Sequence, residues 1–171
     1  PLKVPDPLNP RYSYGGSKII TELLTLNYGR DHFRRSLLFR PHNVYGPAMG
    51  KEHVIPELIL KALKAIEKHP TGPVFFPIQG DGTQTRAFIH IEDMIDGIEL
   101  LIDRGEHLQI YHIGNPEEIS MAHLAEKIMR HFDREPSFEY VPCPQGSTQK
   151  RCPNIDKIRG LGFSPKIFID D

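Results

Sequence analysis

Apolar residues recur along the chain at helical spacing in several stretches, separated by short apolar runs that end in Pro, Gly or Asn. From Gly15 to about Arg30, Ile19, Ile20, Leu23 and Leu24, with Leu26 and Tyr28 behind them, predict a heavily buried helix. Ser36–Arg40, closed by Pro41, reads as a buried strand, so this first helix-to-strand step suits a parallel sheet. Ile55, Leu58, Ile59, Ala62, Leu63 and Ile66 set a second helix over Val54–Ile66, and Val74–Ile78 reads as a strand. Gly80-Asp81-Gly82 then turns the chain into Arg86–Ile91, which the pattern predicts as its hairpin partner.

Glu92-Asp93 opens a third helix, with Met94, Ile95, Ile98, Leu101 and Ile102 on one face. Ile110–Ile113 is a short strand ended by Gly114-Asn115-Pro116. Ser120 has the position of an N-cap for a helix carrying Met121, Leu124, Ala125, Ile128 and Phe132 inward. A last strand over Phe138–Val141, a loop over 142–153 and a short helix from about Asn154 to Arg159, stopped by Gly160, complete the pattern. Alternation of helices and strands predicts an α/β fold. Residues 1–50 read as the end of a doubly wound parallel sheet, and 51–171 mainly as a smaller mixed α/β lobe. Residues 1–13, with four Pro, read as an extended loop leading into the first helix.

Composition narrows the functional classes. The 171 residues carry 21 Lys+Arg against 22 Asp+Glu, a net charge of -1, which gives no basic face for nucleic acid or an anionic membrane. The sequence has no run approaching the ~18 apolar residues of a membrane span and no signal pattern at its start, so a cytoplasmic protein is expected. Cys143 and Cys152 read as free thiols. Nine His without ligand spacing and two Cys without a second pair predict no metal site. His90 and His112 read as packed or capping residues, and Asp93 as a residue that organises a helix start. Pro1 in place of Met, and an end without a terminator, read as a chain trimmed at both ends.

One pair stands out chemically. Tyr14 and Lys18 lie four apart at the start of a helix, so both side chains can leave one face. A phenol is a poor base at neutral pH, with an unperturbed pKa of ~10. An ammonium ~5 Å away favours the phenolate by about 3 kcal/mol at an effective dielectric near 20, which brings the tyrosine into the range of a general acid/base. The same spacing is also common by chance, and Lys18 could instead pair with Glu22 one turn on.

The order of the segments resembles the nucleotide-sugar branch of the extended short-chain dehydrogenase/reductases, the NAD-dependent epimerase/dehydratase family. The resemblance runs through Pro10–Lys18, Arg40–Pro47, Val54-Ile55-Pro56, Gly80–Asp93, Tyr111–Pro116 and Arg151–Ile155, nearly the whole chain. It implies the carboxyl-terminal part of a Rossmann-type doubly wound sheet joined to a nucleotide-sugar-binding lobe. Tyr14 then matches the catalytic tyrosine that takes a proton from a sugar hydroxyl. Lys18 matches the lysine that tunes it and holds the nicotinamide ribose. Pro41, His42 and Val44 fall in the loop that passes the nicotinamide, and Asn43 approaches the sugar diphosphate. Val54 lies in the stretch lining the base, and Arg86 and Arg151 match the arginines on the pyrophosphate. A guanidinium fork suits a diphosphate better than an ammonium.

The resemblance further implies NAD ahead of NADP, a nucleoside-diphosphate sugar as substrate and a homodimer paired through the helix at 15–30. UDP-sugar 4-epimerase chemistry comes first, then dehydratase and decarboxylase chemistry. The family's Gly-rich cofactor turn, and the acidic residue ~20 positions after it, have no counterpart in this sequence, so the chain reads as the carboxyl-terminal half of the enzyme and by itself inactive. Asn154 stands where the family commonly has Asp. Two other classes stay open: a non-catalytic nucleotide-sugar or dinucleotide-binding module, and a purely interacting domain.

Overall fold

The computed structural model describes residues 8, 10–143 and 147–170. Most of the Pro-rich start and residues 144–146 of the loop expected over 142–153 lie outside the described residues. The chain runs α1 (Ser13–His32), β1 (Leu38–Pro41), β2 (Val44–Tyr45), α2 (Val54–Lys68), β3 (Val74–Gln79), β4 (Thr85–Ala87), β5 (Ile89–His90) and α3 (Ile91–Arg104). It continues through β6 (Ile110–Ile113), β7 (Glu118–Ser120), α4 (Met121–His131), β8 (Pro136–Val141), β9 (Lys150–Arg151) and α5 (Asp156–Arg159). A 3-10 turn at Pro10–Tyr12 leads directly into α1.

Parallel pairing dominates, as the helix-strand alternation predicts. β1 pairs with β6, β2 with β5, β3 with β8 and β4 with β9, all parallel, while β4 and β7 are antiparallel. Pro41 ends β1, where its missing N–H costs the ladder nothing; His42 takes over by donating its amide to Ile113 O at 3.1 Å. Strand β6 thus returns from beyond residue 51 to lie beside β1.

Two apolar cores follow from the helix faces. In the first, Leu58, Ala62 and Ala65 of α2 and Leu124, Ala125 and Met129 of α4 close on Val74 and Phe76 of β3. Alanines at the contact let the helix backbones approach the sheet. Ser120 caps α4 as its position predicts, its hydroxyl accepting from His123 N at 3.1 Å. In the second core, Met94 and Leu101 of α3 pack with Tyr111 and Ile113 of β6, Ile155, Ile158 and Phe163. A Cβ at Gly97 would stand 2.7 Å from Ile113 Cγ2, so this glycine sets how closely α3 lies on β6.

Asp93, 2% exposed, supplies a further tie. Its carboxylate accepts the backbone amides of Lys166 at 3.0 Å and Ile167 at 2.9 Å, so the acidic residue that opens α3 also fastens the end of the chain.

Two sequence expectations are corrected. Strands β3 and β4 are not a hairpin: β3 is registered with β8 along all six residues, and β4 lies between β7 and β9. Gly80 and Gly82 adopt φ of +66° and +74°, and Asp81 Oδ1 accepts from Thr83 N and Oγ1, so the turn hands the chain from one sheet to another. Nor is α1 heavily buried, for only Gly29 is, while Ile20, Leu23 and Leu24 are 59%, 53% and 53% exposed. Its apolar positions are spread around the helix, and the described residues cover one side of it.

Candidate active site

Tyr14 and Lys18 lie in the first turns of α1 and leave the same face. The Lys18 ammonium sits over the Tyr14 ring, 5.2 Å from its centroid, and the ring is 72% exposed. One turn on, Glu22 does not pair with Lys18. Its two carboxylate oxygens accept from Nε and Nη2 of Arg40, both at 2.7 Å. This fork ties the Tyr14/Lys18 helix to β1. The Arg40 hydrogen bonds, partly opposed by burial, hold the Glu22 carboxyl below the usual carboxylate range.

Beyond Arg40 the chain passes through the expected loop segment. Open parallel sheets bind ligands at the carboxyl ends of their strands, and Pro41, His42, Asn43 and Val44 occupy that position on β1. Val44 pairs with Ile89, and Asn43 donates its side-chain amide to Ala87 O at 2.9 Å. Asn43 therefore fastens this loop to β4, beside Arg86. His42 Nε2 lies 2.7 Å from Nδ1 of His112, which is the register partner of Arg40. Burial first, then the positive neighbours His112 and Arg40, push the His42 pKa down to about 4. His112 is lowered as well, by burial and Arg40.

Arg86 and Arg151 meet. They are register partners of the parallel β4–β9 pair, and burial together with the Arg151 charge pulls the Arg86 pKa below its ordinary value. Arg86 Nη1 donates to Thr85 O at 2.6 Å, and Arg151 Nη2 to Thr148 Oγ1 at 3.4 Å. Two like charges side by side repel, and an anion between them removes the repulsion. Next to them Gln84 Nε2 donates to Cys143 Sγ at 2.8 Å. Neighbouring Lys150 is used by Glu118, whose carboxylate also accepts from Thr85 Oγ1. Val54 opens α2 and is half-exposed.

Sequence reading missed the Glu22–Arg40 fork, although Glu22 continues the Tyr14/Lys18 spacing on the same helix face. His112 does pack, as expected, but its partner, the His42 ring to which it is hydrogen-bonded, had no signal in the sequence. His90 does cap, its Nδ1 accepting from Glu92 N at 3.4 Å at the start of α3. Cys143 and Cys152 are free, and among the described residues three or more His, Cys, Asp or Glu side chains do not gather into a metal site. Among them, too, no helix is long and apolar enough to cross a membrane.

The chain is similar to several proteins of known activity. A UDP-glucuronic acid decarboxylase of Arabidopsis thaliana is 32% identical over 167 residues, covering 96% of this chain and 36% of the plant protein. The dTDP-glucose 4,6-dehydratase of Streptomyces venezuelae, solved with NAD bound, superposes with a TM-score of 0.78 at 27% identity, over 98% of this chain and 50% of that one. The UDP-glucuronic acid 4-epimerase of Bacillus cereus, solved with UDP-glucuronic acid and NAD, gives 0.77 at 25% identity, over 96% of this chain and 50% of that one. The chain thus spans about a third to a half of these proteins. The family model matches residues 2–114, a stretch that holds the Tyr14/Lys18 helix, the 41–44 loop and Arg86, and the chain belongs to the NAD dependent epimerase/dehydratase family.

Proposed function

We propose that this chain is the carboxyl-terminal half of an enzyme that transiently oxidises a hydroxyl of a nucleoside-diphosphate sugar, with Tyr14 as the acid/base. The observation that carries this reading is the Tyr14/Lys18 pair on a helix that the Glu22–Arg40 fork locks to β1, the strand that leads into Pro41–Val44. Bound NAD would supply the reversible hydride acceptor for the sugar carbon.

The protein's part is to bind, orient and move one proton. Tyr14 Oη takes the proton of the sugar hydroxyl, with the Lys18 ammonium lying over its ring. Pro41, His42 and Val44 would hold the nicotinamide, and Lys18 its ribose. Arg86 and Arg151 hold the substrate diphosphate, with Asn43 and the α2 start at Val54 on the sugar-nucleotide path. These residues fit the reactive end of NAD. A Gly-rich cradle for its pyrophosphate is absent from the 171 residues, so we assign it to polypeptide beyond them. Residues 1–50 then belong with that cofactor domain and 51–171 mainly with the substrate lobe. The exposed apolar side chains of α1 are available for pairing in a homodimer.

Within this class the first choice is a UDP-sugar 4-epimerase. Decarboxylation of a UDP-sugar acid is the second, favoured by the 32% identity to the plant decarboxylase. Product analysis of the complete polypeptide with UDP-glucose and UDP-glucuronic acid separates the two. Tyr14→Phe should lower turnover by about 10²- to 10⁴-fold with little change in UDP-sugar affinity. Full turnover in that variant would overturn the mechanism. Binding of UDP-sugar and NAD without conversion in the unaltered protein would select the non-catalytic module, and dimerisation without nucleotide binding the interacting domain.

A further inference from the structure

The mechanism above gives His42 a place beside the nicotinamide but leaves its imidazole partner, His112, without a task. His42 Nε2 and His112 Nδ1 are 2.7 Å apart, with ring centroids at 5.0 Å and planes tilted by 34°. At this separation one nitrogen carries the shared proton and the other accepts it. Protonating both rings would set two N–H groups against each other. The surroundings favour the neutral pair. Arg40 of β1 is the cation beside both rings, and Glu22 of α1, the anion nearby, is engaged by both its oxygens with that arginine. Uncharged Gly114 and Pro153 lie on the Cβ side of His42. A Cβ added to Gly114 would lie 3.0 Å from His42 Cβ and 2.8 Å from Pro153 Cγ, so the glycine gives His42 its room.

We propose that His112 is a positioning residue that keeps His42 a neutral imidazole in one orientation, so that the Pro41–Val44 segment presents a fixed, uncharged surface to the cationic nicotinamide of NAD. The inference rests on the reading of that segment as cofactor-facing. The backbone cooperates, for His42 N is bonded to Ile113 O and Asn43 Nδ2 to Ala87 O, which leaves the His42 ring as the side chain that His112 must hold. An unpaired His42 would take up a proton more readily, and a proton there would repel the oxidised cofactor.

The test uses the complete polypeptide that carries this chain, with NAD as the probe. In the unaltered protein NAD affinity should be constant from pH 8 to 5.5, and nitrogen-15 spectra should show His42 neutral throughout, with an imidazole-to-imidazole coupling to His112. In His112→Phe the His42 ring stays buried beside Arg40 but loses its imidazole partner, so its titration should move up from that of the unaltered protein, and NAD affinity should fall as pH drops toward 5 where the unaltered protein's does not. His112→Asn, which keeps a neutral hydrogen-bonding group near the Nδ1 position, should bring the affinity at pH 5.5 back toward that of the unaltered protein.

A merely structural role would weaken NAD equally at every pH. That flat loss, or a His42 that titrates near 6.5 in the unaltered protein, would overturn the inference and leave the functional reading intact. Failure of the unaltered protein to bind NAD at any pH would overturn both. Should His112→Phe fail to fold, the coupling and titration in the unaltered protein and the His112→Asn profile decide the matter.

Discussion

Glu22 of α1 grips Arg40 of β1 with both carboxylate oxygens at 2.7 Å, and this fork sets the helix that bears Tyr14 and Lys18 against the strand that leads into Pro41–Val44. Removing one charge from a partly buried pair leaves the other unpaired, so Glu22→Gln should destabilise the chain by about 1.5–3 kcal/mol in urea titrations. The pH dependence has a definite sign. The folded Glu22 pKa lies below its unfolded value, so the stabilisation is complete above ~4.5 and is lost as pH falls through the folded value. Glu22→Gln should therefore lose less stability than the parent chain between pH 5 and 3. An unchanged slope would show that the pair does not act as described.

Asp93 has a structural task that can be read amide by amide. Asp93→Asn puts an N–H where Lys166 N or Ile167 N now donates, and should cost about 2–3 kcal/mol. Hydrogen exchange at those two amides should accelerate more than exchange within α2, which shares no bond with Asp93. Uniform acceleration would argue against a local clamp.

Arg86 and Arg151 should be separable from the chemistry. Lysine keeps the charge and loses the fork, so Arg86→Lys and Arg151→Lys should each weaken UDP binding by about tenfold in calorimetry on the complete polypeptide, with kcat less affected than KM. Because the two side chains are neighbours in register, the double variant should lose less than the product of the single losses. Independent, fully multiplicative losses would place the diphosphate elsewhere.

Ser120 is a local test. Its hydroxyl accepts from His123 N at the start of α4, and Ser120→Ala should lower stability by about 1 kcal/mol, whereas Ser120→Asp should preserve most of it. Equal stability of the alanine variant and its parent would mean that packing of Leu124, Ala125 and Met129 alone sets this helix.

Local rules wrote much of this protein. Helical spacing located α2, α3 and α4 because each buries one stripe. Ser120 and Gly160 marked helix ends, and Ile110–Ile113 was legible as a strand because Gly114-Asn115-Pro116 stops it. The Tyr14/Lys18 pair was legible for a similar reason, since a helix brings residues four apart together.

Partners distant in sequence could not be found that way. The turn at Gly80-Asp81-Gly82 has the composition of a hairpin, yet β3 pairs with β8 and β4 with β9, because strand choice depends on which long-range ladder buries the better face. Arg86 meets Arg151, Glu22 meets Arg40 and His42 meets His112 only after the sheets register. The residue types and the local helices were therefore determined by the sequence by itself. The tertiary structure decided which charges face one another, because hydrogen-bond registry between strands far apart in the chain has no local signal.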